Sequence, residues 1–325
     1  MSEITARGEK KLVLAAGRAH PELAKEIAKE LGTELLPLDA YDFANGEIYV
    51  RAGESVRGTD AFVIQAHPAP LNNWLMEQLI MIDSLKRASA KRITVVSPFY
   101  PYARQDKKGR GREPISARLI ADLYKTAGAD RIMSVDLHTS QIQGFFDGPV
   151  DHLQARPVLI DAMRSLGEDL VVVSPDAGRV KVAEQYANEL HADLAIVHKR
   201  RVKGAKNAVE ARDVVGEVEG RCCVLIDDMI DTAGTMVAAA EQLVAHGASE
   251  VHAACTHPVL SGPAVDRIKN SSIGRLICTN TLPLPPEKQF DKLEVHSIAP
   301  ILAKAIDAVF EDTSVSELFG GKNQT

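Results

Sequence analysis

Asp227, Asp228, Asp231, Thr232, Ala233, Gly234 and Thr235 crowd into one short segment, CCVLIDDMIDTAGT. Adjacent carboxylates can accept hydrogen bonds from sugar hydroxyls or hold Mg²⁺. The small residues behind them lead straight into a helical pattern, Met236, Val237, Ala240, Leu243 and Val244. Backbone N–H groups and the positive end of a helix dipole at such a turn favour phosphate. Carboxylates repel phosphate, so the two halves suit different parts of one ligand, a phosphorylated sugar. An acidic strand-to-helix loop capped by Asp or Thr is the plainer alternative.

Three other groups of residues could do chemistry. Arg104, Gln105, Asp106, Lys107 and Lys108 open a loop that continues through Arg110 and Arg112, a dense positive cluster suited to a polyanion or simply to solvent. A second basic run, His198 to Lys206, holds Lys199, Arg200, Arg201, Lys203 and Lys206 without an intervening acid. Asp136, His138, Asp147 and Asp151 are candidate metal-site residues, mostly oxygen donors. Neither a GxGxxG nor a GxxxxGK[ST] string occurs, so any ATP site is not a P-loop.

These residues need elements to position them. Cys223–Ile226 reads as a buried parallel strand ending in the acidic pair. Leu12–Ala16, Ala61–Ala66, Arg92–Pro98, Ile132–Leu137, Leu170–Ser174, Leu194–Val197, Val251–Thr256, Leu276–Asn280 and Leu293–Ile298 read as further strands. Helical patterns follow Pro21, span Trp74–Leu85, follow Pro114, and run over Val180–Leu190, Pro263–Lys269 and Pro300–Val309. Asn45-Gly46 predicts a hairpin turn between Tyr41–Phe43 and Ile48–Val50. Alternating strands and helices imply an α/β fold, each domain a mainly parallel sheet flanked by helices. The expected domains are residues 1–150 and 151–325, with the last helix packing back on the first. Ligands in open α/β sheets bind beyond the carboxyl ends of the strands, which is where every chemical group above falls. A site between the two halves is the expected meeting point.

The composition bounds the partners. The chain has 325 residues, 45% hydrophobic and 25% charged, with a net charge of −6, which suits a globular protein and argues against a broad nucleic-acid surface. Cys222, Cys223, Cys255 and Cys278 form no CxxC pair and read as reduced core residues. The opening MSEITARGEKK has no apolar signal region, and no apolar run approaches a membrane span. A cytoplasmic protein without membrane partners is expected.

The segment from Cys223 to Thr235 resembles the phosphoribosyl-pyrophosphate (PRPP) motif: an apolar strand, two acids, two apolar residues, then Asp-Thr-Gly/Ala-Gly-Thr. Other segments resemble class I ribose-phosphate pyrophosphokinases, or PRPP synthetases. Phe43, Asn45, Gly46 and Glu47 are similar to a family loop that binds the adenine of ATP, with Ala44 where Ser is usual. Tyr102 to Lys108 resembles a family signature in which Arg104 and Gln105 contact ATP. The string from Asp136 to Asp151 matches a family segment whose histidine, here His138, helps hold Mg²⁺, with Asp136 beside it. Lys199 and Arg201 match the two functional cations of a catalytic loop, and Arg201 also faces the sugar phosphate. Asp176 matches an Asp that engages the second metal or the ribose side. Arg179 stands where the family usually has Gly; altered packing and a phosphate contact are both open. Ser55 and Arg57 lie in a segment similar to one associated with phosphate and ADP regulation, although a surface turn reads equally well.

The resemblance covers about Leu12 to Phe319. It implies two phosphoribosyltransferase-like domains, a homohexamer, Mg²⁺ as cofactor, and ATP and ribose 5-phosphate as substrates. A base-salvage phosphoribosyltransferase would share only the PRPP motif, and a regulatory subunit would share the fold without turnover.

Overall fold

The structure is a computed structural model that describes residues 10–201 and 210–319; the side chains of residues 199–201 and 210–212 lie outside that description. The chain divides into two compact units, one of residues up to Leu153 together with those from Ala299 on, the other Gln154–Ile298.

The first unit begins with strand β1 (Leu12–Ala16), helix α1 (Pro21–Glu30) and an antiparallel hairpin of β2 (Leu38–Asp42) and β3 (Ile48–Ala52). It continues through β4 (Asp60–Ile64), α2 (Leu71–Arg87), β5 (Arg92–Val96), α3 (Ser116–Ala127), β6 (Arg131–Val135) and β7 (Val150–Leu153). Five strands form one parallel sheet in the order β1-β4-β5-β6-β7. Pro21 starts α1 with a pre-set φ, and Gly32, at φ +62°, turns the chain out after the C-cap. Every residue of β4 is buried, as expected for a parallel strand covered on both faces.

The second unit holds α4 (Arg156–Met163), β8 (Leu170–Ser174), α5 (Val180–Leu190), β9 (Asp193–Arg201), β10 (Glu210–Val215), β11 (Cys222–Ile230) and α6 (Gly234–Ala245). Then come β12 (Glu250–Pro258), α7 (Ala264–Lys269), β13 (Ile273–Thr279) and β14 (Leu293–His296). Its seven-stranded sheet runs β10-β9-β8-β11-β12-β13-β14, parallel except for the β9–β10 pair. Chain order reverses between β8 and β11, so a crevice opens beyond their carboxyl ends. Val171, Val173, Leu225, Ala239, Leu243 and Cys255 are fully buried in the core beneath it. The chain then returns to the first unit as α8 (Ala299–Phe310), which lies against α1.

Two strands and one helix differ from the sequence expectation. β11 does not end at Asp227: its pairing with β12 continues through Met229↔His257 and Ile230↔Pro258, so the acids are strand residues. β9 runs on to Arg201 because antiparallel β10 pairs with it over Ile196 to Arg201. The helix after Pro114 starts at Ser116, with Ile115 as its N-cap.

Candidate active site

Asp227 and Asp228 sit near the carboxyl end of the central strand β11, next to the crevice between β8 and β11. Arg179 reaches them from the turn between β8 and α5. Its Nη2 donates to Asp228 Oδ1 at 2.5 Å, and its Nε lies 3.2 Å from Asp227 Oδ1. The three side chains are 15%, 7% and 22% exposed for Arg179, Asp228 and Asp227, so this is a largely desolvated cluster. Burial, and then the neighbouring Asp228, push the Asp227 carboxyl above the usual carboxylate range, against the opposing pull of Arg179. Asp228 N–H donates to Asp227 Oδ1 at 2.8 Å, which fixes that carboxylate from its own backbone.

Beyond β11, Asp231, Thr232 and Ala233 make the turn into α6. Ala233 adopts φ +61°, the left-handed conformation that is costly for any residue with a Cβ. Helix α6 therefore starts at Gly234, and the first N–H groups of a helix have no intrahelical partner. Thr232, Gly234 and Thr235 are exposed, so the turn faces solvent. Arg267 of α7 donates through Nη1 to the Thr232 carbonyl at 2.9 Å and brings a guanidinium to the turn. No sequence pattern marks Arg267, because it belongs to a helix separated from the motif by all of β12.

The first unit gathers Arg104 and Gln105, both exposed, around a cavity of about 460 Å³ also lined by Asp106, Lys107 and Glu113. Asp106 is buried, at 4% exposure, and its Oδ2 accepts from Thr139 Oγ1 at 2.7 Å and Gln141 Nε2 at 2.6 Å. The basic loop is thereby tied to the segment that follows His138. Gln105 Oε1 accepts from Ser116 Oγ at 2.7 Å, which fixes its side chain against the start of α3. Glu113 Oε2 accepts the amides of Gly109 and Arg110 at 2.7 and 2.8 Å and folds the loop back on itself.

Asp136 and His138 follow β6. Asp136 takes φ +38°, a costly conformation for a non-glycine residue, while its N–H donates to Leu153 O at 2.9 Å. Leu137 N–H donates to His152 Nε2 at 2.9 Å, so this strand end is held from β7. Asp151 is occupied otherwise: Arg131 Nη1 contacts both its carboxylate oxygens, at 2.9 and 2.8 Å.

On the hairpin, Phe43 is 46% exposed and meets Tyr41 edge-on at 5.3 Å between ring centroids. Asn45 Oδ1 accepts from Glu47 N–H at 3.2 Å and Gly46 takes φ +87°, so those two residues shape the turn. Ser55 and Arg57 are exposed on either side of buried Val56. In the second unit, Asp176 Oδ1 accepts from Gly178 N–H at 2.8 Å, tightening the turn that presents Arg179. Lys199 and Arg201 are strand residues of β9 by their backbone, but their side chains lie outside the described residues.

Cys223, Cys255 and Cys278 are buried core thiols, whereas Cys222 is half-buried. Ligand atoms of Cys222, Glu250 and His252 lie within 4.8 Å of one another. Arg275 also acts electrostatically on Cys222 and His252, and a fixed cation beside such donors opposes a metal ion.

Residues 12–128 match the N-terminal domain of ribose phosphate pyrophosphokinase, and residues 205–320 match the phosphoribosyl synthetase-associated domain. The ribose-phosphate pyrophosphokinase of Streptomyces avermitilis is 63% identical over 321 residues, covering 98% of this chain and 99% of the relative. That of Mycobacterium tuberculosis strain H37Rv is 60% identical over 324 residues, 99% of each chain. The crystal structure of phosphoribosylpyrophosphate synthetase from Mycobacterium smegmatis superposes with a TM-score of 0.89 at 60% identity, covering 93% of this chain and all of that one. Among the described residues, no helix is long and apolar enough to cross a membrane.

Proposed function

The chain belongs to the ribose-phosphate pyrophosphokinase family, and from that premise we propose how its residues divide the work. It is a ribose-phosphate diphosphokinase: the β,γ-diphosphoryl group of ATP passes to the C1 hydroxyl of ribose 5-phosphate, giving PRPP and AMP. The C1 oxygen bonds to the β-phosphorus, the bond from that phosphorus to the α–β bridging oxygen breaks, and AMP leaves with the bridging oxygen. The hydroxyl proton is released.

One observation carries the assignment of the sugar phosphate. The acidic pair Asp227–Asp228 lies near the carboxyl end of β11, and only the turn Asp231–Ala233 separates the end of that strand from the start of α6 at Gly234. The amides of Thr232, Ala233, Gly234 and Thr235 take the 5-phosphate, and Asp227, Asp228 and Asp231 face the ribose side. Arg104 and Gln105 take the ATP phosphates and base, and Phe43 offers a stacking face, with Asn45, Gly46 and Glu47 shaping the turn beneath it. Lys199 and Arg201 supply positive charge to the transferring group, which needs positioning and charge stabilisation more than covalent help. Ser55 and Arg57 form the regulatory phosphate or ADP site.

Mg²⁺ is the proposed cofactor. Asp136 and His138 offer a carboxylate and an imidazole at one strand end, a donor set that suits Mg²⁺ once phosphate oxygens and waters complete its shell. Asp176 spends one carboxylate oxygen on its turn and keeps the second for a ligand. When bound, the ion neutralises phosphate charge. We also propose a cytoplasmic homohexamer acting on small molecules without nucleic acid; light scattering of the purified chain tests the assembly.

The deciding assay supplies ATP, Mg²⁺ and ribose 5-phosphate and follows AMP. AMP that depends on ribose 5-phosphate supports this reading. Absence of AMP, with pyrophosphate released from PRPP and a base, would assign the chain to the salvage transferases.

A further inference from the structure

We infer that Arg179 is a positioning residue of the ribose subsite, the built-in counter-cation of Asp227 and Asp228, and that it makes a divalent ion at this pair unnecessary. The inference rests on the assignment of the pair to ribose 5-phosphate.

Three observations meet here. First, the place is a topological switch point: Arg179 leaves the end of β8, the acids stand on β11, and those two strands are neighbours in the sheet. The ion pairs therefore span the crevice where a ligand enters. Second, the contact is two-pronged. Separate nitrogens of one guanidinium serve Asp228 at 2.5 Å and Asp227 at 3.2 Å, a division that a planar fork can make and a point charge cannot. Third, the guanidinium is only 15% exposed, and Asp228 only 7%. Nor is Arg179 a side chain that happened to fold over: it is the N-cap of α5, placed by the turn that Asp176 closes onto Gly178.

The chemistry follows. A bare carboxylate pair at a sugar-phosphate site attracts a divalent cation and repels the incoming phosphate. Arg179 weakens both effects. A cation brought to the same oxygens would meet a fixed positive charge within contact distance, so Mg²⁺ does not fit at Asp227–Asp228 while Arg179 holds them. Arg179 Nε and Asp228 N–H each contact Asp227 Oδ1, so the carboxyl group is oriented before the sugar arrives.

The test uses the full chain and Mn²⁺ as the spin probe, without nucleotide. By electron paramagnetic resonance, Arg179→Gly gains one bound Mn²⁺ per chain over the parent, and Arg179→Gly combined with Asp228→Asn loses that gain. In steady state, Arg179→Gly raises the KM for ribose 5-phosphate tenfold or more, with the KM for ATP unchanged. Arg179→Lys, which keeps charge and helix but not the fork, raises the same KM without gaining Mn²⁺. Equal Mn²⁺ counts in parent and Arg179→Gly overturn the inference, as does an unchanged KM for ribose 5-phosphate. If Asp227→Asn and Asp228→Asn leave that KM unchanged too, the ribose assignment itself fails. If those two raise it and Arg179→Gly does not, only the role of Arg179 is lost.

Discussion

Thr139 Oγ1 donates to Asp106 Oδ2 at 2.7 Å, and this bond ties the basic loop to the segment after His138. Gln141 adds a second bond to the same oxygen at 2.6 Å. Removing a buried acceptor strands its donors at a cost of about 1–3 kcal/mol. We predict that Asp106→Ala raises the KM for ATP about tenfold, equivalent to ~1.4 kcal/mol, with the KM for ribose 5-phosphate unchanged. Equal rises in both constants would show a general loss of structure instead and sink the idea.

A second buried carboxylate anchors the hairpin. Glu77 of α2 is fully buried and accepts from Arg18 Nε at 2.6 Å and Arg18 N at 2.7 Å, while Arg18 Nη2 reaches Asp42 of β2 at 2.6 Å. Breaking a buried pair from one side costs about 3–5 kcal/mol. Arg18→Ala should lose stability at the lower end of that range, because Gln65 Nε2 still bonds Glu77 at 3.0 Å. Urea unfolding measures the loss, and hydrogen exchange should quicken first in β2 and β3. A change below about 1 kcal/mol would mean that solvent replaces Arg18 freely.

Much of this was legible in the sequence for physical reasons that can be named. β1, β8 and α5 fall where the apolar periodicity puts them, because both faces of a parallel strand and one stripe of a helix must be apolar. β10 was not legible: Glu-Ala-Arg-Asp-Val-Val is an edge strand defined only by pairing with β9. β7 and α4 were missed as well, being only 4 and 8 residues long. In the candidate site, the turn from β11 into α6 could be read because its residues are contiguous. The long-range partners of that turn and of the basic loop could not. Arg267 meets Thr232, Asp106 meets Thr139, and Arg179 meets Asp228 only through tertiary packing. For Arg179, sequence left packing and phosphate binding open, and the contact found is with the acids.

The turn itself makes a sharp prediction. Ala233 sits at φ +61°, a region that costs an L-residue about 1–2 kcal/mol and is worse for a β-branched one. Ala233→Val should therefore distort the N-terminus of α6 and raise the KM for ribose 5-phosphate, while the KM for ATP holds. Ala233→Gly, which relieves the conformation, should bind the sugar phosphate normally. If Val and Gly behave alike, the left-handed turn is not what shapes the phosphate site.

The ion pairs of Asp312 predict an acid-dependent contribution to stability where the chain returns to the first unit. Asp312, just after α8, is paired with Lys10 and with Arg92 Nη1, the latter at 2.7 Å. Lys10 first, then Arg92, hold its carboxyl down at about 2, against 3.8 for the free group. A depressed carboxylate stabilises the fold above its unfolded value, and that contribution fades as pH falls from 3.8 toward about 2. Asp312→Ala should accordingly lower the urea midpoint at pH 6, and the gap from the parent should close near pH 2. Because the group is exposed, the shift is small and shrinks in high salt. A gap that persists at pH 2 would point to lost packing rather than lost charge.

Lys199 carries the sharpest functional prediction. Its backbone is fixed in β9, opposite Arg212 of β10, next to the strand that bears Arg179's turn. A transferring diphosphoryl group spreads negative charge that a single positioned cation can stabilise by a factor of about 10²–10³, on the scale seen for one preorganised donor. Lys199→Ala should lower kcat by at least that order while the KM for ATP stays within a few-fold, because the charge it meets develops only in the transition state. Lys199→Arg, which keeps the charge but changes its shape, should recover part of the rate. Steady-state kinetics at saturating ribose 5-phosphate, with nucleotide binding followed separately by calorimetry, divides the two effects. Unchanged turnover in Lys199→Ala removes Lys199 from the mechanism, and a large loss of ATP affinity would move it into the binding site instead.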